Sequence, residues 1–419
     1  VAEHLKLVIL PQLENLLFMS NKHILVAFGG PSPEHEVSVL SAMQVIAALS
    51  DSAATLIPLY ITKSGQWLTG DFLKNLESYQ DLKSLPAKAI PCTFIIQPNG
   101  RTVLSEAGRG GIFAKPRTWS VDVVIPAFHG SDGENGSFQG VCETFNLPYT
   151  GSGVLGSASG MNKATAKIIC RALGFPVVPD VHFFESGWVA NRDQLTAQIE
   201  QLGYPVFVKP VNLGSSIGVT RCADTTSLIT HVETAFRYDA HLLVEKGVHP
   251  LMEINCSVIG TPEHAEASVL EHPVGSGELL SFADKYQRGE STKGMASADR
   301  IIPAPLNAET TQNIQELAVS IFRALECSGL ARLDFLMNAE SGEVYFNEIN
   351  TIPGSFSFYL WAHSDVSFDA LMLRLIDIAL KRHQQKNGRV RSYDTNLLSQ
   401  KAVRGLKGLK GVKGSQKRR

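Results

Sequence analysis

Short apolar runs rich in Val, Ile, Leu and Phe recur along this chain, separated by stretches with apolar residues at helical spacing. Residues 23–28 form a β-type run that ends in Gly29-Gly30, residues 37–49 carry a helical pattern, and residues 55–61 and 121–128 are further strands. Strands alternating with helices predict an α/β unit with a parallel sheet. Ligands meet such sheets beyond the carboxyl ends of the strands. Two glycine-rich loops with carboxylates and a histidine fall there, at 29–36 and 129–136. Taken alone, the first is equally an ordinary strand-to-helix turn with Glu36 near a helix N-terminus. Gly151-Ser152-Gly153 reads as a linker. Beyond it come helices at 161–173 and 192–202 and a strand at 206–209, then strands at 252–260 and 265–270 and helices at 308–327 and 368–381. The pattern predicts an extension at 1–20, an N-terminal α/β domain at 21–150, a central unit at 151–249, a C-terminal unit at 250–384 and a tail at 385–419.

One hairpin carries the clearest chemistry. Residues 330–337 alternate as a strand, 338–342 are turn-rich, and 343–350 form a second strand. With the turn centred near Ser341, facing residues have numbers that sum to about 682. Asp334 then faces Glu348, and Arg332 faces Asn350. Side chains alternate, so these four share one side, with Leu333, Phe335, Met337, Tyr345 and Ile349 on the other. Asp334, Glu348 and Asn350 offer oxygen ligands to a hard cation, and magnesium fills its remaining positions with water and phosphate oxygens. The blander alternative is a polar face with a surface ion pair.

A second candidate is residues 206–219. An apolar strand ends in Lys209-Pro210, and Gly214-Ser215-Ser216 follows in a loop before another β-type run. Backbone N–H groups and hydroxyls in such a loop can close over phosphates. It is not a P-loop, because no Gly-Lys-Ser/Thr follows and no helix begins there. The apolar strand 242–248 can present backbone groups to an adenine ring. Each segment is also compatible with a plain hairpin and an ordinary strand.

Composition narrows the class. At 419 residues, 44% hydrophobic and 19% charged, the chain fits a globular enzyme of two or three domains. Residues 401–419 hold eight basic and no acidic residues, which leaves 30 basic against 40 acidic in the first 400. The body therefore gives no electrostatic case for nucleic acid; only the tail could. Glycine at every third position from Gly405 to Gly414, with dense positive charge, predicts a disordered tail. The six cysteines are scattered with no close pairs, which suits reduced thiols in a cytosolic protein. No apolar run reaches the ~20 residues a membrane helix needs. Residues 1–18 lack a basic start and a small-residue cleavage site, so Met19 reads as a natural start preceded by a translation extension or a small surface helix.

Taken together and in order, these segments resemble the D-alanine–D-alanine ligases of the ATP-grasp superfamily over about residues 21–383. The matching motifs are Phe28-Gly29-Gly30 with Glu34-His35-Glu36-Val37-Ser38; His129-Gly130 with Gly133-Glu134-Asn135-Gly136; Tyr149-Thr150-Gly151-Ser152-Gly153; and Met161-Asn162-Lys163. They continue with Val208-Lys209-Pro210 and Gly214-Ser215-Ser216; Lys285-Tyr286; Arg332 with Asp334; and Asn347-Glu348-Ile349-Asn350-Thr351 with Pro353-Gly354. The resemblance implies an ATP-grasp fold preceded by a parallel-sheet N-terminal domain. It implies ligation of two D-alanines with ATP and Mg2+ (or Mn2+), through an acyl phosphate, for peptidoglycan precursor synthesis in the cytoplasm, with a homodimer among the permitted assemblies.

It also implies roles. Lys163 and Lys209 hold ATP phosphates, Glu245 and the backbone at Val248 hold adenine, and Glu253 holds the ribose. Asp334, Glu348 and Asn350 bind the metal. Glu34 receives the ammonium of the first D-alanine, and Ser215 and Tyr286 link to Glu34 in a hydrogen-bonded chain. Arg332 and the Gly354 amide stabilise the oxyanion, and His129 and Lys285 line the substrate pocket. Residues 282–304 lie where a closing loop would shield the acyl phosphate from water.

Two departures bear on the second substrate. Where the family typically has a serine after Pro353-Gly354, this chain has Tyr359, with Ser357 two residues earlier. Either Ser357 takes over or Tyr359 reshapes the pocket. The loop between Tyr286 and Pro303 is also longer than usual. Tyr286 favours the dipeptide over the D-alanine–D-lactate relatives. The alternatives are a related ligase with another second substrate and a non-catalytic nucleotide-binding protein.

Overall fold

The computed structural model describes residues 19–108, 115–274 and 300–393. The chain divides into a unit of residues 1–380 and a second of 381–419. Of the second, the described part is the end of a helix and the six residues after it.

The first sheet begins with β1 (His23–Gly29), an almost wholly buried apolar run. Helix α1 (His35–Ala48) follows and returns the chain to β2 (Thr55–Ile61), which pairs parallel with β1. The chain then runs through β3 (Trp67–Thr69), β4 (Ile90–Ile96), β5 (Thr102–Glu106) and β6 (Thr118–Ser120) to β7 (Val123–Pro126). β7 pairs parallel with the other side of β1. Burial on both faces explains why β1, β2 and β7 read as continuous apolar runs. The parallel expectation holds for these three strands only. β3 to β6 extend the sheet in the order β6-β5-β4-β3-β2-β1-β7 by antiparallel pairing.

Beyond the short helical turn Ser131–Glu134, three helices lead on: α2 (Ser137–Thr144), α3 (Val154–Met161) and α4 (Lys163–Ala172). Asn162 caps α4 by accepting from the Thr165 amide at 2.9 Å. The second sheet is antiparallel, built from β8 (Asp180–Phe184), β9 (Val206–Pro210), β10 (Thr220–Cys222) and β11 (His241–Lys246) in the order β10-β9-β11-β8. Helices α5 (Glu185–Glu200) and α6 (Thr225–Ala235) cover it through a core of Trp188, Ile199, Leu228 and Val232.

The third sheet holds β12 (Leu251–Gly260), β13 (Ala265–Pro273), β14 (Arg300–Ile301), β15 (Gly329–Asn338) and β16 (Val344–Asn350) in the order β14-β13-β12-β15-β16. Helix α7 (Ala308–Ala324) lies on it with Ile314, Ala318, Ile321 and Phe322, a helical stripe at i, i+4, i+7 and i+8. Ala166 and Cys170 of α4 enter the same core. Helix α8 (Phe368–Asn387) packs Leu371, Met372, Leu375 and Ile376 into the core of the first sheet. Among the described residues, no helix is long and apolar enough to cross a membrane.

Candidate active site

Thirteen of the fifteen residues singled out above line one cleft: Glu34, His129, Lys163, Lys209, Ser215, Glu245, Val248, Glu253, Arg332, Asp334, Glu348, Asn350 and Gly354. Lys285 and Tyr286, like most of the loop 282–304, lie outside the described residues. The cleft lies between the second and third sheets, and loops of the first sheet bring Glu34, His129 and Glu134 to it.

The polar face of the β15–β16 hairpin forms as alternation requires. Arg332 pairs with Asn350 and Asp334 with Glu348. Past Asp334 the register slips, and Phe335 faces Phe346. Asn347 is thus an extra residue, a β-bulge of the kind that re-aims a side chain beside a site. Two corrections follow. Phe346, not Tyr345, packs into the core; Tyr345 pairs with Leu336, and its hydroxyl donates to Glu343 at 3.2 Å. Asn347 turns into the cleft, where its Oδ1 accepts from Lys209 Nζ at 3.0 Å.

The charged groups interlock. Arg332 forks onto Asp334, Nε to Oδ1 at 2.7 Å and Nη2 to Oδ2 at 2.8 Å, a bidentate geometry only a guanidinium supplies. Asn350 Nδ2 donates to the same carboxylate at 3.0 Å. Lys163, at the start of α4, reaches Glu348 at 3.1 Å and the Leu213 carbonyl at 2.5 Å. One turn on, the fully buried Lys167 pairs with Glu245 at 2.8 Å, and Lys209 of β9 pairs with the other Glu245 oxygen. Burial pushes the Glu245 carboxyl up, but the two ammonium groups outweigh it and hold it at about 2. Its charge is therefore committed to fixing Lys209. Burial works against the Arg332 cation, yet Asp334 outweighs it and holds the guanidinium charge firmly.

Asp334, Glu348 and Asn350 fit a magnesium-type ion. They supply two carboxylates and an amide on one face, and no cluster of three or more His, Cys, Asp or Glu occurs among the described residues. That is the donor set of a cation held jointly by protein and phosphate rather than by a protein cage.

Glu34 sits at the N-terminal end of α1, and Ser215 donates its hydroxyl hydrogen to the Glu34 carboxylate. The loop carrying Ser215 is folded tightly, with Ser215 and Ser216 both at positive φ. Gly130 makes room: at φ +67°, a Cβ there would stand 2.6 Å from Glu34 Oε2. His129 is buried. Its Nε2 bonds Ser41 Oγ at 2.7 Å, and Ser41 accepts the Ser355 amide at 3.1 Å. Burial depresses its imidazole to about 4, so it is neutral.

Sequence reading gave no role to two groups here. Glu134 is buried and accepts the Gly130 and Ile352 amides at 3.0 and 3.2 Å. Burial first, and the Glu34 charge second, raise its carboxyl to about 7. Lys167 was missed although its spacing from Lys163 was a hint: two lysines one turn apart repel unless acids lie between. Of the two residues at the departure from the family pattern, Tyr359 is the one at the cleft. It lines the cleft and donates to Glu271 at 3.0 Å, while Ser357 is fully buried and does not line it.

A cleft between two sheets that brings together two lysines, an oxygen-ligand face and a serine loop is the arrangement of the ATP-grasp ligase class. Residues 23–152 match the family model of the D-ala D-ala ligase N-terminus and residues 169–377 that of the C-terminus. The D-alanine–D-alanine ligase of Thermosipho melanesiensis is 36% identical over 373 residues, 89% of this chain and 97% of that protein. That of Ruminiclostridium cellulolyticum is 38% identical over 383 residues, 87% and 97% of the two chains. Among solved structures, the D-alanine–D-alanine ligase from Coxiella burnetii superposes with a TM-score of 0.75 at 28% identity, covering 91% of this chain and 100% of that one. The VanG D-Ala:D-Ser ligase from Enterococcus faecalis gives 0.69 at 30% identity, covering 86% and 100%. The chain belongs to the D-alanine–D-alanine ligase family.

Proposed function

We propose that this protein joins two D-alanines into D-alanyl-D-alanine at the expense of ATP, for the peptidoglycan precursor. The observation that carries this reading is the convergence of Glu34, Lys163, Lys209, Arg332, Asp334 and Glu348 on one cleft. A carboxylate is a poor electrophile. The first D-alanine therefore attacks the γ-phosphorus through a carboxylate oxygen, giving an acyl phosphate and ADP. The amine of the second D-alanine attacks the acyl carbon, and the tetrahedral intermediate expels phosphate.

Each step has residues suited to it. Glu34, held by Ser215, receives the ammonium of the donor D-alanine. Lys163 and Lys209 orient the phosphates. Val248 and Glu245 border the adenine position, and Glu253 that of the ribose. Asp334, Glu348 and Asn350 would hold Mg2+ or Mn2+, which when bound neutralises charge on the transferring phosphoryl group. Arg332 and the Gly354 amide meet the oxyanion, where preorganised donors act most strongly. The buried, neutral His129 anchors the Gly354 segment through Ser41 rather than carrying charge. ATP and the amino acid place the reaction in the cytoplasm.

The test is ADP release dependent on D-alanine, with the product identified by mass spectrometry, in excess magnesium and after chelation. Release of ADP without D-alanine, or D-alanyl-D-serine as the main product from equal D-alanine and D-serine, would displace this reading.

A further inference from the structure

Beside Arg332, at the end of the cleft away from Lys163 and Lys209, three side chains form a cluster that the mechanism above does not use. Glu271 of β13 and Arg300 of β14 sit on adjacent strands, and Tyr359 follows the Gly354 turn. Arg300 Nη1 lies 3.0 Å from Glu271 Oε1, and the guanidinium carbon stands 4.2 Å from the Tyr359 ring centroid. The Tyr359 hydroxyl donates to Glu271 Oε2 at 3.0 Å, and Asn255 Nδ2 donates to the same oxygen at 3.3 Å. The Glu271 side chain is 2% exposed and that of Arg300 15%. All three line the cleft.

We propose that Arg300, held in place by Glu271 and Tyr359, is the cation that receives the carboxylate of the acceptor amino acid. The inference rests on the ligase reading and goes beyond it by naming a specificity-determining residue.

Three observations lead to it. First, a buried ion pair is a poor device for stability, since well-packed apolar residues of similar volume serve as well or better. β13 nonetheless places an acid and β14 a base at the cleft wall. Second, the Glu271 carboxylate is already engaged by Asn255, Tyr359 and Arg300, so it acts as a positioning residue. Third, the cations lining the cleft divide by place among the described residues. Lys163 and Lys209 belong to the phosphate end through Glu348 and Glu245, Lys246 ends β11 one residue beyond Glu245, and Arg332 is forked onto Asp334. Arg300 is the cation of the Tyr359 wall. Stacking on an aromatic face and pairing along one edge fix the plane of a guanidinium, and a fixed plane suits a carboxylate. The ligand class is an amino acid with a free α-carboxylate; an amide or ester lacks the charge Arg300 answers.

The experiment uses one reaction mixture. The full chain receives ATP, magnesium and D-alanine together with D-alaninamide, which can serve as acceptor but offers no carboxylate. D-alanyl-D-alanine and D-alanyl-D-alaninamide are then quantified by mass spectrometry. Their ratio reads acceptor choice alone, because both products share the donor step and the same enzyme molecules. Wild type should favour the free acid strongly. Arg300→Met, which keeps length and apolar stem, should shift the ratio toward the amide by tenfold or more. Arg300→Lys should fall between, and Glu271→Gln should move the ratio the same way by less. Should Arg300→Met fail to fold, Arg300→Lys decides. A ratio within twofold of wild type in the folded variants overturns the assignment of Arg300 and leaves the ligase reading standing. Wild type that makes neither product overturns the ligase reading itself.

Discussion

Ser215 donates a hydrogen bond to Glu34 across 181 residues of sequence, joining the serine loop of the second sheet to the residue that opens helix α1. A hydrogen bond to a charged group contributes roughly 1.5–3 kcal/mol. Ser215→Ala should therefore raise the KM for the donor D-alanine about tenfold, and Glu34→Ala should raise it further while ATP affinity holds. Initial rates and calorimetric titration with a non-hydrolysable ATP analogue would check both. Lost nucleotide affinity with unchanged D-alanine dependence would mean that Glu34 does not serve the donor.

The metal face should matter for chemistry more than for folding. Glu348→Gln keeps the shape of the side chain but offers a neutral amide, a poorer magnesium ligand. Turnover should fall by about a hundredfold or more, the magnesium requirement should rise, and the thermal midpoint should stay near wild type. Near-normal turnover at ordinary magnesium would remove Glu348 from the metal set.

Lys167 should be the reverse case. It is fully buried against Glu245, and breaking a buried pair by removing one partner costs about 3–5 kcal/mol. Lys167→Met should lower the chemical-denaturation midpoint by that equivalent, and surviving enzyme should bind ATP more weakly because Lys209 loses its fixed partner. An unchanged midpoint would show that Glu245 is satisfied by Lys209 alone.

Two buried groups should give opposite pH dependences of stability. Glu134 has a carboxyl raised from 4.5 to about 7, so the folded state holds a proton the unfolded chain has released, and stability falls as pH rises through that window. His129 is depressed from 6.5 to about 4, so the unfolded chain binds a proton the folded state refuses, and stability falls as pH drops from 6.5 to 4. The two effects overlap and offset each other between about pH 4.5 and 6.5. Glu134→Gln should expose the histidine effect as a steeper loss of thermal midpoint on acidification. A slope equal to wild type across pH 4.5–7 would show that Glu134 titrates normally.

The limits of sequence reading fall at identifiable residues. The register of Arg332, Asp334, Glu348 and Asn350 was legible because a period of two leaves few choices once one face is apolar. The slip after Asp334 was not, since one extra asparagine leaves no mark in composition. β1, β2 and β7 were legible as buried apolar runs, whereas β3 and β6 have three residues each and their strand character comes from pairing. Glu134 belongs to a stretch of Ser, Asp, Gly and Asn that reads as solvated; the Gly130 amide that it accepts is four residues away, but the Ile352 amide comes from 218 residues further along the chain. Tyr359 stood out as a departure, but Glu271 and Arg300 had no motif of their own, because adjacent strands rather than sequence spacing bring them together.

The extra residue at Asn347 gives β16 two parities. Near the metal end, even-numbered residues face the cleft and odd-numbered Ile349 faces the core; beyond the bulge, even-numbered Phe346 and Val344 face the core side. A strand of one parity could satisfy the metal face or the apolar core, not both. Deleting Asn347 would therefore be an error of phase rather than the loss of one contact to Lys209: either Glu348 would turn into the core or Phe346 into the cleft. Replacing Asn347 by another residue preserves the count, so this position tolerates a change of letter far better than a change of length.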